Sequence, residues 1–238
     1  STIGQFDGLD NFEWIDGLKQ RLNISEGKRI ISFANNPYLH NSNLLGKIFT
    51  AISNKVVITL SYHTFNDPEN VRQVVLHPYL LKQYNNRWYL LGAAEDGYIL
   101  NFALDRIDDI EQMSNIRYME SDDGVEERFD DIVGVTLPQD AQVEKILLWV
   151  SESQYPYIET KPLHGSQRII RGARAEQLHK DYGFDDGHFV EISCIINTEL
   201  KQLIASFIDQ VVILTPTSLR DEMMGRLESL IKKYITRT

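Results

Sequence analysis

Seven residues in the first half of the chain combine aromatic and cationic side chains: Tyr62, His77, Tyr79, Lys82, Arg87, Tyr89 and Arg106. Aromatic rings stack on nucleobases and cations meet phosphates. A sheet face carrying both has the chemistry of a single-strand binding surface. His77 and Tyr79 are two apart and fall on one face of a strand. Tyr62 meets His77 if the first two strands pair. A plainer reading stands beside this one. Trp88, Leu90 and Phe102 read as core, Tyr89 as a half-buried strand residue, and Arg106 has Asp105, Asp108 and Asp109 close by as salt-bridge partners.

Other chemistry finds less support. His179, Asp181, Asp185, Asp186 and His188 form a cluster of metal-like composition. Gly183 stands where a calcium loop needs a ligand, and a hairpin turn at Asp186-Gly187 explains the cluster more simply. No metal and no cofactor are expected. There is no nucleophile elbow and no Walker loop. Cys194 alternates with Ile192 and Ile196 along a strand, which reads as packing rather than as a nucleophile. The chain is expected not to be an enzyme. The last helix carries Lys232, Lys233 and Arg237, cations that complement a helix C-terminus, with a contact to nucleic acid as the lesser reading.

Elements that could position these residues follow from periodicity. Apolar residues at helical spacing predict helices over 12–22 and 42–53, with a short strand over 28–34 between them. From Lys55 the period changes to two. Strands are expected over 56–62, 71–81, 88–94, 98–104 and 106–111, with turns at 66–70, Asn85-Asn86 and Asp96-Gly97. Pro78 marks a bulge or an edge. Five short strands joined by tight turns suggest a small barrel. Beyond them, strands at 143–150, 167–172, 190–196 and 211–214 alternate with helices at 152–160, 198–208 and from 216 to the C-terminus. Thr215 is the expected cap of the last helix and Pro216 its first residue. The inward stripe of that helix reads Leu219, Met223, Leu227, Leu230, Ile231 and Tyr234. The order β-α-β-β-α-β-α suggests a ferredoxin-like module. The fold class is therefore α+β: N-terminal helices and a short strand (1–54), a barrel (55–118), an acidic linker (119–142) and a C-terminal module (143–238).

The 238 residues carry 34 acidic and 24 basic side chains, a net charge of −10, with 42% hydrophobic residues. That is enough for a packed core in one large domain or two modest ones. Residues 105–131 hold eleven acidic and three basic residues, so −8 of the −10 lies there. The balance argues against a basic nucleic-acid-coating surface but leaves room for a local cationic groove. No apolar run approaches the roughly 18 residues of a membrane span. No secretory signal precedes Asn23-Ile24-Ser25, and one cysteine excludes a disulfide framework. A cytoplasmic protein without membrane contact is expected.

Arg87-Trp88-Tyr89-Leu90-Leu91-Gly92, followed by Asn101-Phe102-Ala103-Leu104-Asp105-Arg106-Ile107, resembles the WYL domain, named for its Trp-Tyr-Leu triplet. Ser61-Tyr62 and His77-Pro78-Tyr79 match upstream in order and spacing. The region from about 140 to 238 resembles the C-terminal extension of WYL regulators, with Phe207 to Pro216 as its most typical run. The resemblance implies an Sm-like, SH3-type barrel that senses a nucleic acid or nucleotide-like ligand within a homodimeric transcriptional regulator. It also implies a DNA-reading helix-turn-helix, which residues 1–54 do not resemble, so a chain starting at Ser1 reads as part of a longer one. Ser61, Tyr62, His77, Tyr79, Lys82, Arg87, Tyr89, Asn101 and Arg106 are then the candidate ligand residues. Asn101 stands where many WYL domains have arginine, which exchanges a bidentate phosphate fork for a neutral amide. Arg106, Arg87 and Lys82 are the alternatives for that task. Rival readings are a stand-alone Sm-like module for RNA or single-stranded DNA, and an accessory subunit that modulates a nucleic-acid enzyme.

Overall fold

The computed structural model describes residues 41, 43–121, 125–139 and 141–235. The expected helix over 12–22 and strand over 28–34 lie outside the described residues. The chain is α+β, with two antiparallel sheets in two compact units that divide between residues 122 and 123.

In the first unit, helix α1 (Leu44–Ser53) buries Leu44, Leu45, Ile48 and Ala51, positions that fall on one face at 3.6 residues per turn. Strands β1 (Val57–Thr64), β2 (Asp67–Tyr84), β3 (Arg87–Ala93), β4 (Ile99–Ala103) and β5 (Ile107–Met113) form one sheet in the order β4-β3-β2-β1-β5. The apolar face of α1 joins Ile58, Leu60, Leu76, Leu90, Phe102, Leu104, Ile107 and Ile110 in one core. The helix is thus part of this core, although the sequence reading sets it before the barrel. Asn41 ties its start to the sheet, donating to the Ile107 carbonyl at 2.7 Å.

Strand β2 decides the shape of the sheet. Residues up to Leu76 pair with β1, and from His77 onward they pair with β3. The change of partner coincides with a bulge between Pro78 and Leu80, where proline has no N–H to lose from a ladder. Gly92 faces Pro78, and a Cβ there would collide with the His77 carbonyl oxygen and lie 2.9 Å from Leu76 Cγ. Only glycine lets β3 approach the bend. An 18-residue strand drawn straight would span about 56 Å. Yet the Arg87 guanidinium, just after β2, lies 5.6 Å from the ring of Phe65, just before it. The strand therefore curls until its two ends come within side-chain reach. Among the described residues β4 and β5 do not pair with one another, so where a small five-stranded barrel was expected the strands form a curled, open sheet.

The first turn also differs from expectation. It is Phe65-Asn66 rather than 66–70, and β2 begins at Asp67. Pro68 does not break the strand because it falls in the irregular stretch between the Thr64–Asp67 and Tyr62–Arg72 pairs, where no ladder bond needs its N–H. At Asn85-Asn86 both residues take positive φ, 46° and 59°, as expected of a tight hairpin.

The second unit begins with a six-residue helix, α2 (Val125–Asp130), inside the expected acidic linker. Strand β6 (Val143–Val150), α3 (Tyr155–Thr160), β7 (Arg168–Ile170), α4 (Ala173–Tyr182), β8 (His188–Ile195), α5 (Thr198–Ala205), β9 (Val211–Thr215) and α6 (Thr217–Ile235) follow. The sheet order is β7-β8-β6-β9. Leu147 and Trp149 pack on one face with Phe189, Leu214 and the α4 residues Ala175 and Leu178. Asn197 caps α5 by accepting from the Leu200 amide at 2.9 Å, and it donates to the carbonyls of Val133 and Thr136 at 2.8 Å each. The segment after α2 is thereby fastened to this unit. Cys194 is fully buried and its thiol is pushed up to about 12 by that burial, in keeping with a packing role. Helix α4 was not expected; Gly172 and a left-handed Gly183 bound it. The expected inward stripe of α6 is inward only at Leu219 and Met223, while Leu227, Leu230, Ile231 and Tyr234 are exposed. The reason is length: 19 helical residues run about 28 Å, and the five residues of β9 beneath them about 17 Å. Pro216 precedes the helix, which begins at Thr217.

Candidate ligand site

The curl of β2 gathers the end of β1, the turn after it, the start of β3 and the 3-10 turn Leu104–Arg106 that joins β4 to β5. Tyr62 ends the apolar core here. Its ring meets Phe102 edge-on, with centroids 4.9 Å apart. Burial pushes its phenol above the ordinary value, and the Arg106 cation pulls in the opposite direction. The Arg106 guanidinium lies 5.2 Å from the Tyr62 ring centre and 5.2 Å from that of Phe65. Both distances are within cation–π range. Phe65 is 61% exposed, so its ring is open to a stacking partner. Arg87 Nε is paired with Asp105 Oδ2 at 3.0 Å, and His63 Nδ1 lies 3.1 Å from Asp108 Oδ2. Two buried atoms of this site have no hydrogen-bond partner among the described residues: Arg106 Nε and Asp105 Oδ1. A buried donor left unmade costs free energy, which a bound acceptor would recover.

Three of the nine residues named from sequence, Tyr62, Arg87 and Arg106, thus share one site. Lys82, Tyr89 and Asn101 lie beside it on the β2-β3-β4 part of the sheet. Lys82 stands opposite Tyr89, and Asn101 opposite Leu91, which alternation places on the same face as Arg87 and Tyr89. Trp88, Leu90 and Phe102 occupy the other face and pack in or against the core. Ser61 is matched with Gln73, whose Nε2 donates to its Oγ at 2.8 Å.

His77 and Tyr79 belong elsewhere. Tyr62 stands opposite Arg72, and His77 opposite Ala93, so the expected Tyr62–His77 meeting does not occur. The reason is register: Leu76 already stands opposite Ile58, so His77 lies at the far end of the β1–β2 ladder from Tyr62. Both rings instead face Tyr118, at 5.8 Å and 6.0 Å between centroids. His77 is only 3% exposed, and its Nδ1 accepts from the Met119 amide at 3.0 Å. Tyr79 donates to the Met119 carbonyl at 3.0 Å and Tyr118 donates to the Pro78 carbonyl at 2.6 Å. Lys55 Nζ reaches both carboxylate oxygens of Glu120 at 2.8 Å. Residues 118–120 form a strap on the bulge of β2. Burial, with Tyr79 and Glu120 adding to it, pushes the Tyr118 phenol up to about 12.

Sequence reasoning missed Phe65, Asp105 as the partner of Arg87, and Tyr118. An aromatic residue next to the turn signal Asn66-Asp67-Pro68 was the available sign for Phe65. In the second unit, His179 Nδ1 lies 2.9 Å from the Phe184 carbonyl and His188 Nε2 3.1 Å from Glu152. No group of three His, Cys, Asp or Glu that could hold a metal ion occurs among the described residues. None of the helices described is long and apolar enough to cross a membrane.

Residues 43–112 match the WYL domain and residues 142–231 the WCX domain. The chain carries a WYL domain followed by a WCX domain. No curated protein sequence gives a significant match. Proteasome accessory factor B/C (PafBC) of Arthrobacter aurescens is similar at 17% identity and a TM-score of 0.33, over 84% of this chain and 28% of that one. A CRISPR Cas-related protein is similar at 13% identity and a TM-score of 0.48, over 84% of this chain and 54% of that one. The chain therefore spans less than two thirds of either protein.

Proposed function

We propose that this chain is the effector-sensing part of a WYL-type transcriptional regulator of the cytoplasm, a binding module rather than a catalyst. Its ligand is a nucleic acid or nucleotide that stacks a base on Phe65 and sets a phosphate against Arg106. The observation that carries this reading is the Arg106 guanidinium between two aromatic rings, with a buried Nε that has no acceptor. Base and phosphate would complete that arrangement with a stack and a charge-assisted hydrogen bond. The curled five-stranded sheet is read as an Sm-like scaffold, and the β7-β8-β6-β9 sheet as a ferredoxin-like module with α4 inserted. Homodimerisation is assigned to the exposed apolar half of α6, and DNA reading to another domain of the same regulator. Ligand binding would shift the population of arrangements that this domain samples. Fluorescence anisotropy with labelled single-stranded DNA and RNA tests the site. Phe65→Ala and Arg106→Ala are each expected to weaken binding about tenfold, since stacking on one aromatic is worth about 1–3 kcal/mol. Binding unchanged in both variants would remove the site from consideration.

A further inference from the structure

The strap on the bulge of β2 is held in part by a group of the type that changes charge near neutral pH. The Met119 amide donates to His77 Nδ1 at 3.0 Å, and His77 is 3% exposed. A ring nitrogen accepts an N–H only when it carries no proton, so this bond requires the neutral imidazole with its proton on Nε2. Protonation places an N–H on Nδ1 as well. Two donors then face each other, and the Met119 amide loses its acceptor. The groups around the ring leave this change to His77. On the strap, Tyr118 meets the imidazole edge-on, and its phenol, pushed up to about 12, stays protonated. Glu120 is held by Lys55 at 2.8 Å. On β2 itself, Tyr79 donates to the Met119 carbonyl. Across the ladder on β3, His77 stands opposite the uncharged Ala93. Among the described residues no carboxylate pairs with His77, whereas His63 and His188 each lie 3.1 Å from one, Asp108 and Glu152.

We propose that His77 is a proton-operated latch: neutral, it holds residues 118–120 on the bulge of β2, and charged, it releases them. Strand β5 ends at Met113, and the two compact units divide between residues 122 and 123. The strap therefore anchors the chain just before it leaves the first unit, and opening the latch lengthens the free chain that leads to the second. The tether between the units thereby responds to pH. The sign follows from the bond: the strap is held above the titration of His77 and freed as pH falls through it, within about pH 8 to 5. This latch does not depend on the reading of the ligand site.

Hydrogen exchange of the full chain at about pH 8 and about pH 5 tests the latch, with each rate expressed relative to the intrinsic rate at that pH. Protection of the Met119 amide is expected to fall on the order of tenfold between the two, while the Ile48 amide of the α1 core keeps its protection and so excludes global unfolding. His77→Asn is the discriminating variant. Its Oδ1 can stand in for Nδ1 as the acceptor and takes up no proton in this range. Met119 should then stay protected at both pH values. Glu120→Gln should respond to pH as the unmodified protein does. The His77 ring resonances, followed by NMR over the same range, should titrate with the same midpoint as the loss of Met119 protection. Met119 protection that does not change with pH, that falls as much in His77→Asn as in the unmodified protein, or that falls with a midpoint different from that of the His77 ring would overturn the proposal.

Discussion

Gly92→Ala should damage the first unit more than its small volume change implies. The added methyl would collide with the His77 carbonyl oxygen and lie 2.9 Å from Leu76 Cγ and 3.0 Å from Pro78 Cα. Two of these three neighbours are backbone atoms of the bulge, so relief requires the bend of β2 to open. Overpacking of this kind costs about 1–3 kcal/mol, and a backbone obstacle puts Gly92 at the upper end. At roughly 4 °C per kcal/mol, a unit of this size should melt about 10 °C lower. The bulge also holds His77, Pro78 and Tyr79 against the strap, so opening it should expose the Met119 amide. Circular dichroism melts and hydrogen exchange at Met119 read the two effects. Gly97→Ala is the control, because nothing lies within 4 Å of its would-be Cβ, although its φ of 84° adds a modest strain. A Gly92→Ala melt within 2 °C of the unmodified protein, with Met119 exchange unchanged, would refute the argument that the bend of β2 demands glycine.

Other consequences can be checked together. His77→Ala removes the acceptor of the Met119 amide, and exchange there should rise on the order of tenfold or more while the α1 core amides stay protected. Tyr118 should ionise well above the ordinary phenol range in an alkaline spectrophotometric titration, near about 12, and Tyr118→Phe should delete that step. Its folded value is raised, so the associated stability is fully present below the unfolded value of about 10 and is lost as pH climbs through about 12. On α6, Leu227→Asp should convert a dimer into a folded monomer, as read by light scattering after size exclusion, because the side chain is exposed within one copy. A Leu227→Asp protein that stays dimeric would remove α6 from the interface.

The strands that carry the site were legible in the sequence because period-two runs ended at strong turn signals. Asn85-Asn86 takes positive φ at both residues, and Asp96-Gly97 places its glycine at φ 84°. The ligand site was legible in part. Tyr62, Arg87 and Arg106 could be named by chemical type, but their meeting depends on the curl of β2, a long-range property that no local pattern encodes. Phe65 was hidden because Pro68 reads as a turn, whereas the irregular pairing beside it leaves its missing N–H without consequence. His77 and Tyr79 pointed to the ligand by composition, and the strap claims them because β2 changes partner between its halves. Helix α4 escaped notice because most of Ala173–Tyr182 is polar, and only Ala175 and Leu178 pack against the core. Helix α6 shows the converse. Its apolar period runs its full length, but the sheet beneath covers only its first turns.

The central claim is that Arg106 meets a phosphate of a nucleic-acid ligand. The most direct test is the salt dependence of single-stranded DNA binding in the unmodified protein and in Arg106→Ala. Each phosphate neutralised on a single strand contributes about −0.7 to the slope of log affinity against log salt. The account predicts that Arg106→Ala binds more weakly and that its slope is shallower by about 0.7. Identical slopes for the two proteins would contradict it, because the Arg106 guanidinium would then not be in contact with a phosphate.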